Sequence, residues 1–288
     1  METTSAEAHS LKAGIRPENL RIKYGREIRI ELLLSCTQFI EFLTQIGEVW
    51  LHTVAQGSQI RRRIKLDGPS EVSWHGDDLA EIAGMVYDFS KWRNIWAVQQ
   101  NYVNGQRQFF IEIAGPEGLA HRIELTKNSH FKLFQQLVKE QQTSGSNENC
   151  NPSSEGFLHY IESRWRRTLT QPQVARRVDF NAVPNFLEQL TQQNEYPLRI
   201  TLLNAATKQT VTTHFTVFRR LGTSILLESP DCVFEWDHSC VDGAWLVRCR
   251  CSCGEEILEL YGPQKNLVVS LALPALPQPI LNLLPYLN

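Results

Sequence analysis

The sequence predicts an α+β fold built twice: two tandem structural repeats, each a mainly antiparallel β-sheet packed with a few helices, with a cleft between the lobes. Three observations carry this. Trp96-Ala97-Val98 is followed by Phe110-Ile111-Glu112-Ile113-Ala114-Gly115-Pro116, and Ala244-Trp245-Leu246-Val247 is followed by Ile257-Leu258-Glu259-Leu260-Tyr261-Gly262-Pro263. The Gly-Pro pairs lie 147 residues apart and the tryptophans 149. Phe42-Leu43-Thr44-Gln45 recurs as Phe186-Leu187-Glu188-Gln189 at an offset of 144. Near-equal offsets in one order argue duplication, and a cleft between two lobes is where ligands commonly sit. The expected division is an N-terminal lobe at 1–140, a linker with connecting helices at 141–177 and a C-terminal lobe at 178–288.

Each element has a local reason. Phe39, Ile40, Phe42, Leu43 and Ile46 recur at helical spacing, and Gly47 ends that helix. Val49–Val54 and Gln59–Leu66 read as strands. So do Ile95–Val98 and Gln108–Ile113, which flank the hairpin signal Asn104-Gly105. Asp77 and Asp78 read as caps of a helix over Leu79–Val86. Leu119–Leu125 is a further strand and Phe131–Glu140 a closing helix. Gln141–Ser154, rich in Ser, Asn, Gly and Gln, reads as linker, and Phe157–Arg167 as helical. Val183–Leu190 repeats the first helix, with Pro184 in its first turn, and Leu198–Leu273 is mostly strand. The prolines at 274, 277, 279 and 285 exclude a regular helix over 271–287.

The bulk numbers bound the function classes. At 288 residues, 42% hydrophobic and 21% charged, the chain can bury two ordinary cores. A net charge of -2 points neither to nucleic acid nor to an anionic membrane. No window approaches the roughly 18 apolar residues of a spanning helix, so no stable membrane insertion is expected. Met1–His9 carries neither a basic nor an apolar leader region. Seven cysteines without an export signal imply reduced thiols in a cytoplasm.

Several stretches then carry a likeness. Phe39-Ile40 and Phe42-Leu43 lead to Gly47-Glu48-Val49. Val86-Tyr87-Asp88-Phe89-Ser90-Lys91-Trp92 precedes Ala97-Val98, Gln108-Phe109-Phe110 and Ala120-His121-Arg122-Ile123. Ala244-Trp245-Leu246-Val247-Arg248 and Gly254-Glu255-Glu256-Ile257 end in Tyr261-Gly262. In these stretches and their order the chain resembles the bacterial haem-utilisation proteins of the haemin-degrading factor family. The resemblance implies a cytoplasmic protein of haem uptake and utilisation that holds haem between its two repeats. Its work would be trafficking and hand-over, with haem oxygenase-like degradation a further activity of the family. Haem is the implied cofactor, and haem-uptake or haem-accepting proteins are the implied partners. The family's axial histidine, at the start of the second-lobe helix, falls on Pro184, which cannot ligate iron. Val86 and Cys249 replace a family arginine and lysine, whereas Arg248 matches. The alternative is a non-enzymatic binding or regulatory module on the same fold that has lost haem.

Candidate site residues follow. His159 is the nearest histidine upstream of the lost position, and a neutral imidazole is a common ligand of haem iron. Arg164, Arg166, Arg167, Arg176, Arg177 and Arg248 could pair with the propionates, because guanidinium binds carboxylate bidentately; the other reading is a solvated basic face. Cys249, Cys251 and Cys253 would share one face of a strand, with Cys232, His238 and Cys240 as further metal donors. The pair spacing lacks a zinc knuckle, which favours an ordinary strand. No phosphate loop, dinucleotide fingerprint, nucleophile elbow or zinc-protease motif occurs.

Overall fold

The computed structural model describes residues 24–66, 68, 72–141, 175–193, 195–248, 255–273, 276 and 278–287. It divides into two units. Among the described residues, unit 1 holds those up to Val54, those from Arg61 to 141, and Asn204–Thr207. Unit 2 holds Ala55–Ile60, those from 175 to Leu203 and those from Lys208 onward. Each unit thus contains a hairpin tip from the other half of the sequence.

Unit 1 runs β1 (Tyr24–Glu31), α1 (Cys36–Gln45), β2 (Gly47–Ala55), β3 (Ser58–Leu66), β4 (Val72–Trp74), β5 (Leu79–Ile82) and β6 (Met85–Asp88). A 3-10 turn (Phe89–Lys91), β7 (Asn94–Tyr102), β8 (Arg107–Gly115), β9 (Gly118–Ser129) and α2 (Phe131–Gln141) complete it. The strands form an antiparallel sheet in the order β1-β7-β8-β9-β2-β3 and a meander β6-β5-β4. Two side chains set the start of α1. Ser35 Oγ accepts from the Gln38 N–H at 3.2 Å and Gln38 Oε1 accepts from the Ser35 N–H at 2.9 Å, a closed capping box. Its Phe39 and Leu43 are fully buried against Leu51, Ile111 and Ile123 of the sheet. Each such side chain contributes about 1.5–3 kcal/mol by leaving water. Gly47, at φ 83, turns the chain from α1 into β2.

One sequence expectation fails here. Leu79–Val86 is not a helix but the hairpin β5–β6. Ala83 and Gly84 both adopt positive φ, 50 and 79, as a two-residue primed turn requires. The period is two: Ala80, Ile82, Met85 and Tyr87 are buried while Glu81 is exposed. Asp77 and Asp78 therefore cap no helix.

Unit 2 repeats the plan strand for strand: β10 (Ala175–Val178), a 3-10 turn (Phe180–Ala182), α3 (Val183–Gln193), β11 (Leu198–Leu203), β12 (Thr207–Thr213), β13 (Val217–Leu221), β14 (Ser224–Ser229) and β15 (Cys232–Asp237). A second 3-10 turn (His238–Cys240), β16 (Gly243–Arg248), β17 (Glu256–Tyr261), β18 (Leu267–Leu273) and a single turn α4 (Gln278–Leu281) follow. Its orders are β10-β16-β17-β18-β11-β12 and β15-β14-β13, the unit 1 orders with each strand replaced by its repeat partner.

The repeat extends to single hydrogen bonds. In unit 1 the Asp88 N–H donates to the Ala206 carbonyl at 2.9 Å; in unit 2 the Asp237 N–H donates to the Gly57 carbonyl at 2.7 Å. Ser90 Oγ donates to Asp88 at 2.6 Å, as Ser239 Oγ does to Asp237 at 2.7 Å. The recurring Gly-Pro pairs now have a reason. A Cβ on Gly115 would stand 3.1 Å from the Ala206 Cβ, and one on Gly262 would stand 3.0 Å from the Cys240 carbonyl oxygen.

Candidate functional site

His159, Arg164, Arg166 and Arg167 lie outside the described residues, as do Cys249, Cys251 and Cys253. Arg248 ends β16, is exposed, and stands 3.9 Å from Glu256, paired across the strands. Pro184 is buried in the first turn of α3, and Val86 is on β6. Cys232 is buried in the unit 2 core, Cys240 lies half-buried in its turn, and the His238 ring lies tilted against Phe180 with centroids 5.4 Å apart. Among the described residues no group of three or more His, Cys, Asp or Glu is arranged to hold a metal ion.

What sequence reasoning missed is a polar and aromatic face on the unit 1 sheet, opposite its aliphatic core. Strand alternation builds it. With Leu51, Ile111 and Ile123 committed to the core, their neighbours must project to the other side. The register aligns Trp96 with Glu112, Glu112 with Arg122, Arg122 with His52, and Glu124 with both Phe110 and Trp50. Arg29 joins from β1 and Arg61 from β3.

Two carboxylates organise this face. Glu112, 3% exposed, takes one bond from Arg29 at 2.9 Å and another from Arg122. Glu124 takes one from His52 Nε2 and one from Arg61, each at 3.0 Å. The three guanidinium groups also lie over rings: Arg61 is 4.3 Å from the Trp50 centroid, Arg122 is 4.7 Å from Phe110 and Arg29 is 5.7 Å from Trp96. The Nε atoms of Arg61 and Arg122 are buried without a hydrogen-bond partner.

The charges can be followed one by one. Burial pushes the His52 imidazole down to about 4, so its Nε2–H donates to the Glu124 carboxylate and the ring is neutral at pH 7. Burial acts to raise the Glu124 carboxyl, but its bond to His52 and the Arg61 and Arg122 charges outweigh this and hold it below the ordinary range. Glu27 also pairs with Arg29, so these three arginines stand against three glutamates. Such a face offers partly exposed guanidinium donors to the acid groups of a ligand.

On the core side of the same sheet, His121 is inaccessible. Its two nitrogens meet Thr53 Oγ1 at 3.1 Å and the Tyr87 hydroxyl at 3.3 Å. Burial pushes its pKa down to about 3, and pushes the Tyr87 phenol well above its usual range. A neutral ring, donating with one nitrogen and accepting with the other, satisfies both hydroxyls.

Unit 2 carries a related triad. Arg177 lies over Trp245 at 5.9 Å, and Trp245 is the register partner of Glu259. Here the Tyr261 hydroxyl donates to the fully buried Glu259 at 2.6 Å. Arg177, one of the arginines singled out in the sequence, thus sits on a ring.

No protein-family model and no curated protein matches the sequence. Solved structures do match. Holo-PhuS, a heme-binding protein from Pseudomonas aeruginosa, superposes with a TM-score of 0.71 at 14% identity, covering 96% of this chain and 90% of its own. ChuS, an E. coli heme oxygenase, gives 0.69 at 13% identity over 87% of this chain and 84% of its own. Apo-PhuS gives 0.68 at 14% identity over 92% and 85%. At such identity the likeness is one of fold, and it spans nearly the whole chain: the duplicated α+β architecture read from the repeats is that of PhuS and ChuS.

Proposed function

We infer that this chain binds haem for intracellular haem handling, gripping the propionates with the guanidinium face of unit 1. The observation that carries this is the pair of partly exposed guanidinium groups of Arg61 and Arg122, each lying over an aromatic ring and braced by a glutamate. A guanidinium held in place by a glutamate can offer its exposed N–H edge to a ligand carboxylate. The fold shared with a heme-binding protein and a heme oxygenase supports the same reading.

The residues divide the work. Arg61 and Arg122 hold carboxylates, with Glu124 and Glu112 fixing their orientation. Trp50 and Phe110 supply apolar surface and exclude water. Bound haem would supply an iron centre that takes an axial ligand. His52 is engaged by Glu124, so His159 remains the sequence's assignment for that ligand, and Arg248 serves at most an outer role beside Glu256. No helix among the described residues is long and apolar enough to cross a membrane.

One observation favours a second reading, a binding module that has lost haem: Pro184, buried in the first turn of α3, stands where the resembling family carries its iron ligand. A haemin titration of the full chain, followed in the Soret band, separates the two. Haem binding predicts a saturable one-to-one shift that weakens by about tenfold or more in Arg61→Ala/Arg122→Ala. It also predicts altered ligation bands in His159→Ala. Absence of a saturable shift in the wild type means the second reading.

A further inference from the structure

On the helix side of the unit 1 sheet, away from the guanidinium face, the β7–β8 hairpin and α2 border an open cavity of about 530 Å³. That is the size of a small-molecule pocket, for which about 300–1,000 Å³ is usual. Its apolar wall is Phe109, Phe131, Phe134 and Val138. Phe109 stands edge-on to Phe131 with centroids 4.6 Å apart, and Phe131 stacks on Phe134 at 6.0 Å. Phe131 nevertheless remains 37% exposed at the mouth. The apolar surface continues outward along a cross-strand row, Ile28 beside Gln99 beside Phe109, with Ile28 itself exposed.

The polar part of the lining has one sign. Among the described residues Arg107 and Lys139 are its charged members, and no carboxylate lines the cavity. Neither cation is ion-paired among the described residues, in contrast to the arginines of the opposite face. Gln99 and Gln135 add amide groups. An apolar body with one anionic head answers every part of this lining: rings and Val138 for the body, Arg107 and Lys139 for the head.

We propose that this cavity is a second ligand site, for a monoanionic amphiphile of the medium-chain carboxylate type. The head is held between Arg107 and Lys139, and the chain lies against Phe109, Phe131 and Phe134.

The test uses the full chain with 1-anilinonaphthalene-8-sulfonate as a fluorescent probe and dodecanoate as competitor. A saturable fluorescence rise, displaced by dodecanoate, is expected. Arg107→Glu/Lys139→Glu is expected to weaken probe and competitor at least tenfold, and Phe131→Asn to weaken both. Arg219→Ala, on β13 of unit 2, should leave them unchanged. The milder pair Arg107→Gln/Lys139→Gln covers the case in which the charge reversal disturbs folding. Three results overturn the assignment: no saturable binding to the wild type, binding unaltered by either pair of substitutions, or dodecanol competing as well as dodecanoate.

Discussion

His121 and His52 are histidines that the fold keeps neutral. Burial lowers them to about 3 and about 4 from an ordinary value of 6.5. Between those limits the unfolded chain binds protons that the folded chain refuses, so their contribution to stability is complete above pH 6.5 and is lost as the pH falls. Glu124, also held low, adds a loss at the acid end. Urea midpoints are expected to decline from about pH 7 to about pH 4.5, each histidine contributing at most about 1.4 kcal/mol per pH unit. His121→Gln should flatten the profile; a profile of unchanged slope would refute the assignment. Glu112, nearly inaccessible and shared by Arg29 and Arg122, makes a second case. Glu112→Gln is expected to cost about 1–3 kcal/mol in chemical denaturation, because two guanidinium groups lose their counter-charge. Glu112 and Glu259 stand in the sequence as lone acids inside apolar runs, a signal the sequence reading passed over. That signal could not show which arginines they serve. Arg29 and Arg122 are far apart in the chain and meet at Glu112 only through strand register.

Among the elements, those with a complete local signal were legible. The helix α1 has its capping box and periodicity, and Asn104-Gly105 closes β7 onto β8, with the Tyr102 N–H donating to the Gln106 carbonyl at 2.8 Å. The β5–β6 hairpin was misread because Leu79–Val86 is apolar at both helical and alternating spacing; Ala83-Gly84, the turn, decides it. The tip of the β11–β12 hairpin was not legible at all. Asn204 donates from Nδ2 to the carbonyls of Val54 at 2.7 Å and Ala120 at 2.8 Å, while its Oδ1 accepts from the N–H groups of Ala206 and Thr207. Its Nδ2 partners are 150 and 84 residues away, beyond any local pattern. Asn204→Ala is expected to destabilise by about 2–4 kcal/mol, since it strands buried backbone groups in unit 1. Thermal melting of this variant against Asn204→Asp checks it: equal melting temperatures for wild type and Asn204→Ala would remove Asn204 from that role.

For the whole molecule, the order of the repeats was open to sequence reading and the membership of their parts was not. Periodicity reveals two copies; it does not reveal that the tip Ala55–Ile60 belongs with residues after 175, or Asn204–Thr207 with residues before 141. A fragment of residues 1–156 retains most of unit 1 but lacks that second tip, so the Asp88 N–H loses its acceptor and the Val54 and Ala120 carbonyls lose Asn204. Such a fragment is expected to melt well below the full chain, or without cooperativity, and to recover when produced together with residues 157–288. A fragment that melts alone at the temperature of the full chain would refute this. The same interleaving bears on ancestry. A precursor holding one copy of this plan could finish its fold only by lending its hairpin to a twin and borrowing the twin's in return, which is a domain-swapped dimer. Joining two such copies in one chain makes that exchange internal and independent of protein concentration. The two copies were then free to diverge in chemistry, with Arg29 and Arg122 on Glu112 in one and Tyr261 on Glu259 in the other, while neither could be discarded.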